Sequence, residues 1–231
     1  MRMISPDDLD LAVQAVAAGE LVILPTRRWY MICADARNRG ACERVFAGKG
    51  RSPSKALAYV LPHAVTADDL FDMTPDARQL AAAFWPGDLA MILRWRDERA
   101  GRLHEPVGVP NALVTMDPGV LGELALRSPV PIAATTANVS DPANTDSAGP
   151  AITTAEVEQF VSDAGIEVAY CIDGGVCPLA QHLTIVDCTA AEARLVRSGV
   201  VHARAVNAVI AAMALPLWQH LRAVPEIVEG V

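Results

Sequence analysis

The chain is poor in aromatic residues, 5% of 231, and has 5 cysteines. With so few rings the core has to be built from Ala, Val, Leu and Ile, and 52% apolar residues suffice for one large domain. The cysteines (Cys33, Cys42, Cys171, Cys177, Cys188) are odd in number and none stand in a C-x-x-C spacing. That argues against a secreted disulfide scaffold or a zinc ribbon and for reduced cysteines used as small core residues. No run reaches the roughly 18 to 20 apolar residues that cross a bilayer. The N-terminus turns acidic at Asp7-Asp8 without an apolar signal segment, so a soluble, cytoplasmic protein is expected. The two common sequence routes to a nucleotide are missing as well: there is no G-x-x-x-x-G-K-[ST] and no G-x-G-x-x-G.

Net charge is −8, which disfavours nonspecific attraction to a polyanion, but the charge is unevenly spread. Between Arg27 and Lys55 stand 8 basic residues (Arg27, Arg28, Arg37, Arg39, Arg44, Lys49, Arg51, Lys55) against 2 acids (Asp35, Glu43). A basic island in an acidic chain points to a local anion site rather than a broad nucleic-acid face.

Ser5-Pro6-Asp7-Asp8 has the form of a helix start, with a capping hydroxyl, proline in the first turn and acids at the positive dipole end. The helix is expected to run to Gly19. Strands are predicted over 20–24, 56–61, 89–95, 107–109, 131–135, 168–172, 183–186 and 194–196. Helices are predicted over 38–47, 74–84, 117–126, 154–164 and 204–221, with a polar loop from Ser140 to Pro150 and a tail at the end. Strands mixed with helices of about ten residues predict an α/β or α+β open sheet. No internal repeat or linker appears, so the expected organisation is one domain over 1–205, with a C-terminal helix and tail over 206–231 that is not a separate domain.

Three clusters carry candidate chemistry. Lys49-Gly50-Arg51, with Lys55 after it, puts a point charge and a planar fork around a glycine that lets the backbone turn sharply, in what is expected to be an exposed loop. Such a pair suits phosphate or carboxylate oxygens, although a solvated loop has the same composition. Thr136-Ala137-Asn138 follows a predicted strand, where small hydroxyl and amide groups either line a crevice or close an Asx or Ser/Thr turn. Arg197-Ser198-Gly199 after the last strand carries the same two readings.

Read in order, the fragments become specific. Pro25-Thr26 with Tyr30, Lys49-Gly50-Arg51, Trp85-Pro86-Gly87, Thr136-Ala137-Asn138-Val139-Ser140, Asp173-Gly174-Gly175, Thr184-Ile185-Val186-Asp187 and Arg197-Ser198-Gly199 succeed one another. The series resembles that of the YrdC-like family, the threonylcarbamoyl-adenylate synthases. Family members show P-T-[DE]-T-x-Y-G-L, K-x-R, W-P-G, S-A-N-x-S-G, D-G-G, S-T-[IV]-[IV]-D and R-x-G. The resemblance covers about residues 8 to 201.

It implies an open, twisted, mixed sheet flanked by helices, and an adenylate-forming reaction. Threonine and bicarbonate give an N-carboxy-threonine, whose carboxylate attacks the α-phosphate of ATP. Threonylcarbamoyl-adenylate and pyrophosphate form, and partner proteins pass the group to a tRNA adenosine. By resemblance Lys49 and Arg51 would be catalytic and hold phosphate oxygens, with Thr136, Asn138, Ser140, Thr184 and Arg197 as further phosphate contacts. Thr26, Arg28 and Tyr30 would line the amino-acid end. Mg²⁺ would travel on the nucleotide phosphates rather than in a protein cage.

The chain departs from the pattern in places. Arg27 and Arg28 replace an acid and a threonine, Met31 and Cys33 stand for glycines, Gly108 for the arginine of V-R-V-P, Leu183 for a serine and Asp141 for a glycine. These changes gather on the amino-acid side. A family member with a different acid or amino-acid substrate is therefore an alternative, and Arg28 would then supply the cation lost at Gly108. A non-catalytic double-stranded RNA-binding module is the third reading, favoured by the basic island and opposed by the net charge.

Overall fold

The computed structural model describes residues 1–140 and 149–213. Ten strands form one sheet: β1 (Arg2–Ile4), β2 (Val22–Pro25), β3 (Tyr30–Asp35), β4 (Ala58–Val60), β5 (Leu89–Arg94), β6 (Asn111–Thr115), β7 (Ile132–Thr136), β8 (Tyr170–Ile172), β9 (Thr184–Asp187) and β10 (Arg194–Arg197). Their order is β1-β8-β2-β3-β7-β4-β6-β5-β9-β10. Pairing is parallel at β1/β8, β2/β8, β4/β6 and β5/β9, and antiparallel at the other five junctions. The sheet is mixed and does not close on itself, as the sequence led one to expect.

The helices are α1 (Leu9–Ala17), α2 (Arg39–Gly48), α3 (Ala64–Leu70), α4 (Pro75–Phe84), α5 (Glu98–Leu103), α6 (Val120–Arg127), α7 (Thr154–Ala164) and α8 (Ala203–Met213). Capping side chains fix several starts. Asn38 accepts from the Ala41 N–H for α2, Thr74 from Ala77 for α4, and Thr153 and Glu156 cap α7 reciprocally. Ser5 accepts from Asp7 N–H, but its proline opens a 3₁₀ turn, Pro6–Asp8, that leads into α1.

Two cores share the sheet. On one face α2, α4, α7 and α8 bury Val45, Phe46, Leu80, Phe160 and Val206 against Ile23, Ile32, Tyr59, Met91 and Val114. On the other, α1 and α6 bury Val13, Val16, Leu121 and Leu124 against Val22, Leu24, Met31, Cys33 and Ala134. These two helices cover part of their face. Beyond them Ala58, Leu113 and Ile185 floor an open cleft, together with Met31 and Ala134 from the margin of that core. All five cysteines are buried and free.

Some expectations need correction. Residues 107–109 are not a strand: Val107 ends a 3₁₀ turn, Gly108 takes φ 103°, and β6 begins at Asn111. β1, β3, α3 and α5 were not anticipated. β3 hid inside the segment read as a site motif, and the two helices are 7 and 6 residues long, too short for a clear period. Residues 141–148 of the polar loop, including Asp141, lie outside the described residues, as do 214–221 of the expected last helix and the tail. The helix that is described, α8, packs on α4, with Val206 in the main core.

Candidate functional site

The cleft on the sheet face has a volume of 510 Å³ and three walls. One is the segment after α2, with Arg51, Lys55 and Ala56. The second is the carboxyl end of β7, with Thr136, Asn138 and Ser140. The third is the β9–β10 side, with His182, Leu183 and Arg197. Among the described lining residues there are cations and one imidazole but no carboxylate.

Gly50 makes the first wall. It takes φ 58°, a conformation open to glycine and strained for other residues, and the turn lets Arg51 N–H donate to the Phe46 carbonyl at 2.9 Å. The Arg51 guanidinium then donates to the carbonyls of Lys55 at 2.7 Å and Ala56 at 2.9 Å, tying the loop to the start of β4. Arg51 and Lys55 stay accessible from the cleft.

Lys49 does not. The expected exposed cation is 1% exposed, its Nζ folded under the end of β7. It donates to the Thr136 carbonyl at 2.5 Å, to Asn138 Oδ1 at 3.1 Å and to the Asn138 carbonyl, and it sits 5.6 Å from the Phe160 ring centroid. Ser140 N–H returns a bond to the Lys49 carbonyl at 2.7 Å. Burial, with Arg51 nearby, pushes the ammonium down to about 7. Three acceptors around one nitrogen match the three N–H donors of the charged form. Lys49 therefore ties α2 to the Thr136–Asn138 wall, whose Thr136 hydroxyl donates to Asn138 Oδ1 at 2.7 Å.

The third wall rests on Thr184. Fully buried, its hydroxyl donates to the Val201 carbonyl at 2.6 Å and accepts from Gly199 N–H at 2.9 Å. A Cβ at Gly199 would meet the His182 carbonyl at 2.1 Å, so only glycine allows this approach. Thr184 is thus not exposed to a ligand; it closes the strand ends that carry Arg197. Arg197 Nε donates to the Leu183 carbonyl at 3.1 Å, and the rest of its guanidinium faces the cleft.

The residues expected at the amino-acid end are occupied internally. Thr26 Oγ1 accepts from Arg28 and Trp29 N–H, both at 3.1 Å, and donates to the Trp29 carbonyl at 2.9 Å, forming the turn between β2 and β3. Tyr30, fully buried, donates to the Gly175 carbonyl at 2.8 Å and accepts from Gly174 N–H at 3.3 Å; burial pushes its phenol up to about 12. Arg28 is 3% exposed and donates to Asp88 at 2.7 Å, with Asp117 at 3.9 Å. Burial lowers its pKa despite both carboxylates. Gly108 does not line the cleft.

In space the basic island comes apart. Arg27 pairs with Asp88 at 3.6 Å, Arg28 with Asp88, Arg37 with Asp35 at 3.7 Å and Arg39 with Glu43 at 2.9 Å, while Arg44 donates to the Gly19 carbonyl. Its contribution to the cleft is Arg51 and Lys55, joined by Arg197 from the far end of the chain. Asp88, Asp117 and His182 were not foreseen. Asp88 directly follows the Trp85-Pro86-Gly87 motif, and His182 stands two residues before Thr184, so their positions beside matched motifs were the available signals.

An open mixed sheet flanked by helices, with a cationic cleft across its face, defines an α/β protein of the mixed, open-sheet class. The chain belongs to the Sua5/YciO/YrdC family, whose model, described as "Telomere recombination", matches residues 14–199. A Mycobacterium tuberculosis relative that bears the name threonylcarbamoyl-AMP synthase provisionally is 32% identical over 209 residues, 90% of this chain and 91% of its own. The Bacillus subtilis threonylcarbamoyl-AMP synthase is 28% identical over 211 residues, 90% of this chain but 58% of its own length. A structure of Pyrococcus abyssi Sua5 complexed with L-threonine is similar with a TM-score of 0.77 and 26% identity, over 90% of this chain and 59% of that one. Escherichia coli YciO shares the fold with a TM-score of 0.72, at 16% identity. Among the described residues, no helix is long and apolar enough to cross a membrane.

Proposed function

We propose that this chain synthesises L-threonylcarbamoyl-AMP from threonine, bicarbonate and ATP, in the cytoplasm, for transfer by partner proteins to tRNA. One observation carries the reading. Arg51, Lys55 and Arg197 converge on a single cleft opposite the Thr136–Asn138 wall, in a chain whose relatives are threonylcarbamoyl-AMP synthases.

In the reaction, a carbamate oxygen of N-carboxy-threonine attacks the α-phosphorus, a P–O bond forms, and the bond to the β-phosphate breaks to release pyrophosphate. Several negative charges meet, so positioning and cations carry the catalysis. Arg51 and Arg197 approach the polyphosphate from two walls, and Lys55 adds a third charge. Thr136, Asn138 and Ser140 offer neutral hydrogen bonds between them. Lys49 keeps that wall in place and brings a charge beneath it. Mg²⁺ would enter as a companion of the nucleotide, where it neutralises phosphate charge.

The internal pairing of Thr26, Arg28 and Tyr30 leaves the amino-acid end to the groups still facing the cleft, such as His182 and Leu183. The test is pyrophosphate release with labelled bicarbonate, ATP and a panel of amino acids. Threonine is expected to give the highest turnover. Equal turnover with other amino acids would move the reading to a relative with a different acid substrate.

A further inference from the structure

The chemistry proposed above releases a proton, and the described residues of the cleft offer little to take it. An amino acid enters as R–NH₃⁺ and bicarbonate as HCO₃⁻. When the N–C bond forms, the C–OH bond of bicarbonate breaks and leaves with one ammonium proton as water. R–NH–COO⁻ remains and one further proton must be accepted. Among the described residues lining the cleft, Arg51, Lys55 and Arg197 are cations, and the hydroxyl and amide groups are not bases near neutrality. Lys49 lies beneath the wall with its N–H groups committed to three carbonyl-type acceptors.

His182 differs from all of these. Its ring lines the cleft, is exposed to solvent and makes no hydrogen bond to a described residue. It is placed rather than loose: the ring packs on Trp29 with centroids 5.7 Å apart, and its own carbonyl accepts from Val200 N–H at 3.0 Å. Building on the synthase reading, we propose that His182 is the proton acceptor for formation of the carbamate, taking the amine proton on an imidazole nitrogen and returning it to solvent.

The charged groups facing the ring support the role. Partial burial disfavours the imidazolium most, and Arg197 from β10 and Arg28 from the β2–β3 turn act in the same direction. The ring is therefore held below its ordinary value, which favours the neutral form that can accept a proton. Once protonated it lies beside a new carbamate and a polyphosphate, which compensate its charge. The sign follows: activity needs the neutral ring, so the rate rises with pH through the His182 titration and falls on the acid side of it.

The experiment is the pH profile of labelled-bicarbonate incorporation with threonine and ATP, for the wild-type chain, His182→Ala and His182→Gln, with nucleotide affinity measured in parallel. Both variants are expected to lose about 100-fold or more at neutral pH. The acid limb should disappear in both, nucleotide affinity should hold, and added imidazole should restore part of the rate to His182→Ala. A wild-type acid limb retained in both variants would overturn the assignment, as would a loss explained wholly by weaker nucleotide binding. Failure of the synthase reading shows itself differently, as wild-type protein that releases no pyrophosphate with any amino acid, and that result would remove this inference with it.

Discussion

The Lys49 ammonium donates to the Thr136 carbonyl oxygen at 2.5 Å, joining residues 87 positions apart in the chain. The resemblance implies that the cationic pair, Lys49 and Arg51, and the hydroxyl–amide pair, Thr136 and Asn138, all contact the phosphates. Instead Lys49 is in direct contact with the second pair, and Arg51 stands across the cleft without it. One residue of the K-x-R motif builds the wall and the other faces the ligand.

This division gives a first prediction, for Lys49 and Arg51 compared. Lys49→Met takes the ammonium from all three acceptors; the Thr136 carbonyl keeps Asn138 N–H and Asn138 Oδ1 keeps the Thr136 hydroxyl, but the Asn138 carbonyl loses its donor among the described residues, and a buried orphan costs about 1–3 kcal/mol. Urea denaturation should show a large loss of stability for Lys49→Met. Arg51→Gln, whose parent side chain is partly solvated, should lose nucleotide affinity with a smaller change in midpoint. Equal stability losses in the two variants would contradict the division.

A second prediction concerns protons. In the free fold Lys49 is held down to about 7. Phosphate anions across the wall favour the charged form and lift its pKa back toward the ordinary lysine value, so between these values the bound state holds more protons. For this group, then, nucleotide affinity rises as pH falls toward 7 and levels off below it. Calorimetry in buffers of different ionisation enthalpy at about pH 8.5 should show proton uptake on binding. Lys49→Met should abolish it.

Much of the fold was legible. The strands ELVIL, ALAYVL and LAMILRW are apolar runs bounded by Gly, Pro or charge, and helix starts at Asn38, Thr74 and Thr153 carry their caps in the sequence. The site was legible as a set of residue types but not as roles. Lys49 and Lys55 flank the same glycine-containing loop, and what separates a buried tie from an exposed cation is a pair of carbonyls, one at the end of β7 and one two residues beyond it. Arg28 reads as a substrate contact from its place in the matched segment beside Thr26. Its partners, Asp88 and Asp117, come from β5's approach and the loop before α6, and pairing between distant segments leaves no periodic trace. Thr184 and Tyr30 likewise carry hydroxyls that look available until the Val201 and Gly175 carbonyls are placed beside them.

The Arg28 network yields a third prediction. Two carboxylates and one guanidinium are buried together, so removing the cation leaves Asp88 and Asp117 facing each other without it, and breaking such a pair costs about 3–5 kcal/mol. Arg28→Met should therefore be strongly destabilising. Adding Asp88→Asn to it removes one of the stranded charges, so the double variant should lose markedly less than the sum of the two single changes. Denaturation midpoints for the four members of the cycle measure this. Strict additivity would mean that the pair is not coupled, and that Arg28 is free to act on a ligand after all.

Thr184 and Arg197 separate support from contact on the third wall. Thr184→Val keeps the shape of the side chain but strands the Gly199 N–H and the Val201 carbonyl, at a cost of about 1–3 kcal/mol for each unpaired group. Arg197→Gln removes an exposed guanidinium whose link to the fold is one bond to the Leu183 carbonyl at 3.1 Å. Its loss should leave the thermal midpoint nearly unchanged. Because a charge-assisted hydrogen bond contributes about 1.5–3 kcal/mol, nucleotide affinity should fall by about 10- to 100-fold. Thr184→Val should show the reverse order, a lowered midpoint with a smaller affinity loss that cooling reduces. If Thr184→Val weakened nucleotide binding as much as Arg197→Gln while melting normally, its hydroxyl would have to leave the Gly199–Val201 bridge to meet the ligand, and the wall would be a moving part rather than a fixed one.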